Sequence, residues 1–177
     1  LAALIDDVVA ANRILAREGV LDGFGHVSAR HPSDPTKYLL SRSRAPELVE
    51  AADIMTFDLD SNPQGGDSRQ PYLERFIHGA IYRARPDVMA VVHSHSPSVI
   101  PFAASSVRLR PIYHMSGFLG GNTRVFDIKH RFGCTDMLVR NNDHGDALAA
   151  ELGASGVVLM RGHGFVSVGL SVPVAVY

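Results

Sequence analysis

The stretch 88–95 constrains the fold of this chain more than any other part of its sequence. It begins as an uninterrupted apolar run and ends in two histidines, His93 and His95, separated by one serine. A short apolar run is typical of a buried strand, and side chains at positions i and i+2 of a strand point to the same side. We therefore expect a buried strand that carries two imidazoles side by side at its end. Two polar rings in such a place need partners, because burying them unpaired costs free energy.

A third histidine extends this pattern. His163 lies between two glycines, just after a second apolar run at 157–160. If the fold brings the two runs together, three imidazoles can share one metal ion. Three protein ligands with one open position are typical of a catalytic rather than a structural metal site. The alternative is that these are ordinary core or edge histidines, in a chain that contains 9 histidines.

An acidic residue, Glu74, precedes the histidine strand within a predicted helix at 71–84. Pro71 is tolerated in the first turn of such a helix, and Arg85-Pro86 ends it. The predicted buried stripe consists of Leu73, Ile77, Ala80, Ile81 and Ala84. Glu74 lies on the rim of this stripe, where a carboxylate is costly unless it is paired or coordinated. The alternative is a solvated acid at the helix start, which the helix dipole favours.

These residues together resemble the class II aldolase/adducin family. The resemblance is carried by the order and spacing of Glu74, Arg85-Pro86-Asp87, the segment 90–95 and Arg161-Gly162-His163-Gly164. It covers nearly the whole chain, from the segment 23–30 to the final residues. The family includes aldolases and an epimerase that act on sugar phosphates.

The resemblance implies a fold, a set of site residues and an assembly. The implied fold is α/β, a three-layer α/β/α sandwich around a central, largely antiparallel sheet, with residues 1–177 as a single domain. His93, His95 and His163 would bind the metal, and Glu74 would act as an acid/base that can also contact it. The implied assembly is a homotetramer with sites at subunit interfaces.

Departures from the sugar-phosphate members indicate a different substrate. Those enzymes hold phosphate with small residues at three places, where this chain has Gly25-His26, Ser43-Arg44 and Tyr72-Leu73. A phenol and an isobutyl group replace two small hydroxyls, and two guanidinium groups suited to bidentate carboxylate recognition are added. We therefore expect a small, planar carboxylate substrate. The predicted substrate-binding residues are His26, Arg42, Ser43, Arg44 and Tyr72.

These substitutions resemble the branch of the family that contains 3-hydroxy-2-methylpyridine-4,5-dicarboxylate decarboxylase. That branch implies a divalent-metal-dependent carbon–carbon lyase that decarboxylates a hydroxyaromatic or hydroxypyridine (di)carboxylate through a metal-stabilised enolate. As in retro-aldol cleavage, the electrons of the broken bond collect on an oxygen that a cation can hold. The implied metal is manganese or zinc, with iron as an alternative. Glu74 is the first candidate proton donor and His114 the second, although His114 also fits an ordinary core or interface histidine.

Two other functions stay open at this point. One is a class II aldolase or epimerase that acts on a small non-phosphorylated hydroxy-carbonyl compound, and the missing phosphate-binding hydroxyls count against it. The other is a non-enzymatic adducin-like module, which the complete histidine set disfavours because the adducin domain lacks intact metal ligands. Three nitrogens also suit a non-haem iron oxygenase.

Composition bounds the remaining classes. The net charge of −1 over 177 residues argues against a nucleic-acid partner. No apolar run approaches the length of a membrane span and no signal peptide opens the chain. The single cysteine, Cys134, excludes an intramolecular disulfide framework and suits a reducing cytoplasm, where we expect the protein to lie. Ser171 predicts the start of a helix, so we expect a further C-terminal helix that is truncated or disordered.

The remaining elements alternate along the chain. Helices are predicted at 3–18, 97–104 and 143–152. Strands are predicted at 25–30, 38–41, 54–59, 111–116, 123–126, 156–160 and 164–168. The glycine-rich segment 117–121 is interpreted as a loop, because it lacks the lysine and hydroxyl residue of a phosphate-binding loop.

Overall fold

A mixed sheet of seven strands lies between helices in the computed structural model, which describes residues 1–121 and 123–177. The strands are β1 (His26–Arg30), β2 (Lys37–Ser41), β3 (Ile54–Asp58), β4 (Ala90–Ser94), β5 (Arg124–Phe126), β6 (Val157–Met160) and β7 (Gly164–Gly169). Their order is β3-β2-β1-β4-β7-β6-β5, and every pairing is antiparallel except that of β5 with β6. The strand that carries the predicted histidine pair, β4, therefore lies at the centre of the sheet.

Six helices and four 3-10 turns complete the described part of the chain. The helices are α1 (Ala2–Arg17), α2 (Phe76–Ala84), α3 (Ile100–Ala104), α4 (Ile128–Phe132), α5 (Asn142–Leu152) and α6 (Val172–Val176). The 3-10 turns are Pro46–Leu48, Ala51–Asp53, Leu73–Arg75 and His114–Leu119. Across residues 1–121 and 123–177, none of the helices has the length and apolar character to cross a membrane.

Successive side chains of the central strands pack alternately into two hydrophobic cores, one on each face of the sheet. Val91 of β4 packs into the core formed with α2 and α5. Its neighbours Ala90 and Val92 pack on the other face, against α1 and α6. Because β4 is buried on both faces, its sequence is a continuous apolar run. The predicted α/β/α sandwich with a largely antiparallel sheet is confirmed.

Most predicted strands are confirmed to within one residue at each end, but the strand predicted at 111–116 is wrong. Residues 114–119 form a 3-10 turn, and the side chain of Ile112 is 89% exposed. A short helix, α4, follows β5 in a segment for which no helix was predicted. The Asp127 side chain accepts a hydrogen bond from the Lys129 N–H at its start. The helix predicted to begin at Ser171 is confirmed as α6.

The helix predicted at 71–84 is interrupted near its start. Leu73–Arg75 is a separate 3-10 turn, within which Glu74 has non-helical backbone angles (φ −91°, ψ 20°). The regular spacing of buried positions in α2 therefore does not continue into the residues before it. As a result Leu73 is 49% exposed and Glu74 only 7% exposed, the reverse of the predicted order. Ala84, predicted to complete the stripe, is also exposed.

Candidate metal centre

Four side chains from separate parts of the chain converge at one end of the central strands. Glu74, His93, His95 and His163 each offer a ligand atom, and these atoms lie within 4.8 Å of one another. Glu74 comes from the 3-10 turn before α2, His93 from β4, and His95 follows β4 directly. His163 lies in the turn between β6 and β7. The fold thus brings together the four residues that the sequence pattern links to a metal.

Two glycines allow His163 to reach this cluster. A β-carbon at Gly164 would lie 2.0 Å from the Ser94 carbonyl oxygen, so only glycine lets β7 approach the end of β4 this closely. Gly162 has a φ of 64°, in the left-handed region that favours glycine. The Gly-His-Gly pattern therefore has a backbone explanation on each side of the histidine.

An oxygen acceptor orients each of the three imidazoles through its Nδ1 atom. The acceptors are the Phe165 carbonyl for His93 at 3.1 Å, the Asp22 carboxylate for His95 at 3.1 Å, and the Met137 carbonyl for His163 at 3.0 Å. Carbonyl and ionised carboxylate oxygens only accept, so each Nδ1 carries a hydrogen. In the neutral form of each ring, Nε2 therefore presents its lone pair to the cluster.

The spacing of these Nε2 atoms fits a divalent metal ion. The Nε2 atom of His95 lies 3.0 Å from that of His93 and 3.1 Å from that of His163. Lone pairs at this separation repel one another unless a cation lies among them. Nitrogens that are each about 2.1 Å from one ion, at angles of about 90–110°, are themselves about 3.0–3.4 Å apart. Three imidazoles and a carboxylate suit zinc, manganese or iron.

Glu74 is held so that one carboxylate oxygen faces the histidines. Its Oε1 atom accepts a 2.8 Å hydrogen bond from the backbone N–H of Val139. Its Oε2 atom lies 3.2 Å from Nε2 of His163, 3.4 Å from Nε2 of His93 and 3.9 Å from Nε2 of His95. A carboxylate in this position can either bind the ion or exchange a proton with a molecule bound beside it.

The contacts of the cluster also shift its ionisation. Burial raises the pKa of Glu74, but hydrogen bonds and charges from His163 and His93 outweigh burial and hold that pKa well below its usual range. Burial lowers the pKa of His163, whereas the neighbouring Glu74 carboxylate raises it above the ordinary value. Burial and the charge of His93 lower the pKa of His95. Glu74 is thus ionised and adds negative charge where a cation would bind.

Asp22, which the sequence pattern does not indicate, fixes the orientation of His95. Its carboxylate accepts hydrogen bonds from the backbone N–H groups of Phe24 and Gly25 and from Nδ1 of His95. The segment Asp22-Gly23-Phe24-Gly25 is recognisable as a turn. Its link to a histidine 73 residues away depends on the pairing of β1 with β4, which local sequence does not reveal.

Replacing Asp22 by asparagine should weaken metal binding about 10–100-fold, the usual effect of losing a group that orients a ligand. The oxygen of the new amide can keep the backbone hydrogen bonds, but its NH₂ group would then donate toward Nδ1 of His95 and favour a hydrogen on Nε2. Zinc titration against a competing chelator measures the change. Asp34→Asn is the matched control, because Asp34 also accepts a backbone N–H two residues ahead. Equal zinc affinity in the two variants would contradict the role of Asp22.

A cavity of about 560 Å³ opens beside the cluster and is called the site cavity below. Its polar lining consists of His26, Ser43, Glu74, His95, Asp136 and His163, and the rest of its lining of Phe24, Tyr72, Leu73, Met137, Leu138 and Gly162. The Tyr72 hydroxyl donates to the Arg44 carbonyl, so Tyr72 presents its ring rather than its hydroxyl to the cavity. The size suits a small aromatic molecule.

Two predicted substrate-binding residues, Arg42 and Arg44, do not line the site cavity. Arg42 Nε lies 2.7 Å and Arg44 Nη1 3.0 Å from the Asp53 carboxylate, which is 4% exposed. Their positive charges are therefore matched within the fold, and they brace the segment that presents Ser43. The prediction that both guanidinium groups bind a carboxylate substrate is not supported by their placement.

His114 lies apart from the metal cluster in this chain. It belongs to the 3-10 turn His114–Leu119, is exposed, and contacts the ring of Tyr113. Leu119, at the end of this turn, packs with Leu159 on the sheet face opposite to the core of α2 and α5. His114 is not among the residues that line the site cavity described above, and its role as a proton donor stays a prediction.

The fold is an α/β/α sandwich in which three histidines and a glutamate meet at the end of the central strands. This combination defines a class of enzymes with a candidate metal centre. Residues 6–177 match the family described as Class II Aldolase and Adducin N-terminal domain. The chain belongs to this family.

Relatives and solved structures agree with this assignment. The chain is 42% identical to the decarboxylase tropJ of Talaromyces stipitatus, over 96% of this chain and 68% of that protein. It is 35% identical to a 3,4-dihydroxyphthalate decarboxylase of Arthrobacter keyseri, over 96% of this chain and 70% of that protein. The crystal structure of an aldolase II superfamily protein from Pseudomonas syringae matches with a TM-score of 0.82 at 25% identity, over 99% of this chain and 68% of that one. The protein is an enzyme of the lyase type.

Proposed function

We propose that the protein decarboxylates a hydroxyaromatic carboxylate of the dihydroxyphthalate type, with a divalent transition metal held by His93, His95 and His163. The observation that carries the proposal is the convergence of three Nε2 lone pairs beside a cavity with a flat, apolar wall. Decarboxylase relatives that match 96% of the chain support the reaction type.

When bound, the metal supplies Lewis-acid chemistry, accepting the negative charge that develops on the substrate oxygen next to the breaking bond. The three histidines hold the metal through Nε2, and their Nδ1 partners keep the rings in place. Manganese, zinc and iron all suit this donor set, and manganese or zinc is the proposed ion.

Glu74 is the proposed acid/base. Its ionised Oε2 atom takes the proton of the substrate hydroxyl, while the N–H of Val139 holds Oε1 fixed. The carbon–carbon bond to the carboxylate then breaks, carbon dioxide leaves, and the electron pair stays with the ring. Glu74 returns its proton to that ring carbon, so the carboxylate is ionised again at the end of the cycle. The low pKa of Glu74 keeps the carboxylate ionised before the substrate binds, so it has a free position for a proton.

The walls of the site cavity would select the substrate. The rings of Tyr72 and Phe24 and the side chain of Leu73 offer flat apolar surfaces for an aromatic ring and displace water around it. Ser43 and His26 are the proposed polar contacts for the rest of the molecule. Arg42 and Arg44 are proposed to act indirectly, by holding the Ser43 backbone against Asp53.

The proposed assembly is a homotetramer with sites at its subunit interfaces. Four large apolar side chains are more than half exposed in the single chain, namely Ile112, Tyr113, Met115 and Phe118. Contiguous apolar patches of this kind are typical of interaction surfaces. In such an assembly His114 would lie next to a neighbouring subunit.

Metal removal and reloading test the proposal. The purified protein is stripped with a chelator, reloaded separately with manganese, zinc or iron(II), and assayed for carbon dioxide release from 3,4-dihydroxyphthalate and other hydroxylated aromatic diacids. We expect no activity in the stripped protein and recovery with at least one of the ions. Cleavage of a hydroxy-carbonyl sugar such as L-fuculose 1-phosphate, without release of carbon dioxide from any aromatic acid, would show an aldolase instead.

A further inference from the structure

A chain of four buried polar side chains runs from the wall of the site cavity into the core. His26 Nδ1 lies 2.7 Å from His78 Nε2, and His78 Nδ1 lies 2.6 Å from Ser28 Oγ. Ser28 Oγ in turn lies 2.8 Å from the hydroxyl of Tyr82. All four side chains belong to residues that are at most 1% exposed. Buried polar networks are costly unless every hydrogen bond is made, so the positions of the hydrogens can be worked out.

The two histidines of this hydrogen-bonded series, His26 and His78, are both neutral. Burial lowers the pKa of His78 to about 3. The ring of His26 is as deeply buried, and its Nδ1 atom faces a neutral imidazole rather than an acid, so a positive charge on it would be costly. Each ring therefore carries one hydrogen, on either Nδ1 or Nε2.

The residues at the buried end of this hydrogen-bonded series, Tyr82 and Ser28, decide which nitrogen of each histidine carries the hydrogen. Within the described residues, the hydroxyl of Tyr82 has Ser28 Oγ as its hydrogen-bond acceptor. Tyr82 therefore donates its hydrogen to Ser28. The Ser28 hydrogen then goes to its other neighbour, Nδ1 of His78. His78 consequently carries its hydrogen on Nε2 and donates it to Nδ1 of His26. This leaves His26 with its hydrogen on Nε2.

The ring of His26 lies where a bound substrate would meet it. His26 and His93 are paired across β1 and β4, so their side chains share one face of the sheet. The centroid of the His26 ring is 5.2 Å from that of His93 and 4.4 Å from that of Tyr72, and His26 lines the site cavity. A group bound by His26 and a group bound at the metal centre can therefore belong to one small molecule.

We propose that His26 is a fixed N–H donor to a second carboxylate of the substrate, and that Ser28 and His78 are positioning residues that act through it by holding its tautomer. The opposite tautomer would present a lone pair and repel a carboxylate. The identity of the ligand as an aromatic diacid rests on the proposed function, whereas the tautomer follows from the hydrogen bonds alone.

The tautomer is read directly by long-range proton–nitrogen correlation spectra of the zinc-loaded full chain with nitrogen-15-labelled histidine. His26 signals are assigned by their absence in His26→Gln. We expect the hydrogen on Nε2 in the parent protein and a new Nδ1–H population in Ser28→Ala, which lacks the directing hydrogen. Ser61→Ala is the matched control, because Ser61 is another wholly buried serine, bonded to Tyr38, and should leave the His26 signals unchanged. An Nδ1–H tautomer in the parent would overturn the proposal.

Binding of phthalate and benzoate tests the ligand. Both lack the hydroxyl group that decarboxylation needs, so calorimetry records binding without turnover. We expect His26→Phe to weaken phthalate binding about tenfold or more, the cost of one hydrogen bond to a charged group. Benzoate binding should change little, and His26→Gln, which keeps an N–H donor, should restore most of the phthalate affinity. Equal losses for the two acids, or none, would overturn the carboxylate role of His26. Absence of decarboxylation alone would contradict only the proposed reaction.

Discussion

Replacing His95 by alanine should weaken metal binding by more than about 100-fold, because losing a residue that merely orients a ligand already costs roughly 10–100-fold. Metal-dependent carbon dioxide release should disappear with it. His95 is the most suitable ligand to remove, since its side chain is 18% exposed whereas that of His93 is fully buried. Alanine at this position therefore leaves no large hole in the core. Zinc titration and the metal content of the purified variant provide the measurement.

His130→Ala is the control for this experiment. The side chain of His130 is 83% exposed on α4, and its replacement should leave zinc affinity and activity as in the parent. Thermal unfolding of the metal-free proteins establishes that both variants are folded. If His95→Ala bound zinc as tightly as His130→Ala, the three-histidine centre would be wrong.

The histidine strand was predictable because its signal is local. An apolar run followed by His93 and His95 fixes a buried strand and places both rings on one side. His163 was accessible for a similar reason, because glycines on both sides mark a close approach of the backbone. The convergence of these histidines also requires that β7, which follows His163 and pairs with β6, lie next to β4. That pairing is not visible in the local sequence.

Glu74 and the arginines were harder to predict because their environments depend on backbone detail and strand register. The predicted positions of side chains around the helix 71–84 assume one continuous α-helix. Because a 3-10 turn precedes α2, the side chain of Glu74 instead points inward. Arg42 and Arg44 could pair with any of several nearby acids. Only the pairing of β2 with β3 brings Asp53 next to them.

The segment 111–116, which was predicted to be a strand, pairs with no other strand in the described part of the chain. Ile112, Tyr113 and Met115 favour a strand by residue type, but apolar and polar residues do not alternate strictly in this segment. None of the strand pairings among the described residues includes this segment, and from His114 onward its backbone forms a 3-10 turn. The exposed side chains of Ile112 and Tyr113 show that its pattern does not reflect packing within one chain.

Glu74→Gln should lower kcat for decarboxylation by about 10²–10⁴-fold, the range by which a positioned acid/base accelerates a reaction. The amide oxygen can keep the hydrogen bond from the Val139 N–H, so the side chain should stay in place. What changes is the atom that faces the histidines, which can no longer accept the substrate proton or return it to the ring carbon. The rate of carbon dioxide release is measured at saturating metal, so that weaker metal binding does not enter the comparison.

Two further measurements separate the chemical role of Glu74 from its charge. Glu151→Gln removes a carboxylate from α5, outside the site cavity, and should leave kcat unchanged. Glu74→Asp keeps the negative charge but shortens the reach of the carboxylate, so it should bind metal as the parent does and still lose most of its rate. Parent-like turnover in Glu74→Gln with metal bound would assign proton transfer to another group. In that case the Nε2 donor of His26, on the same wall of the cavity, would be the next residue to test.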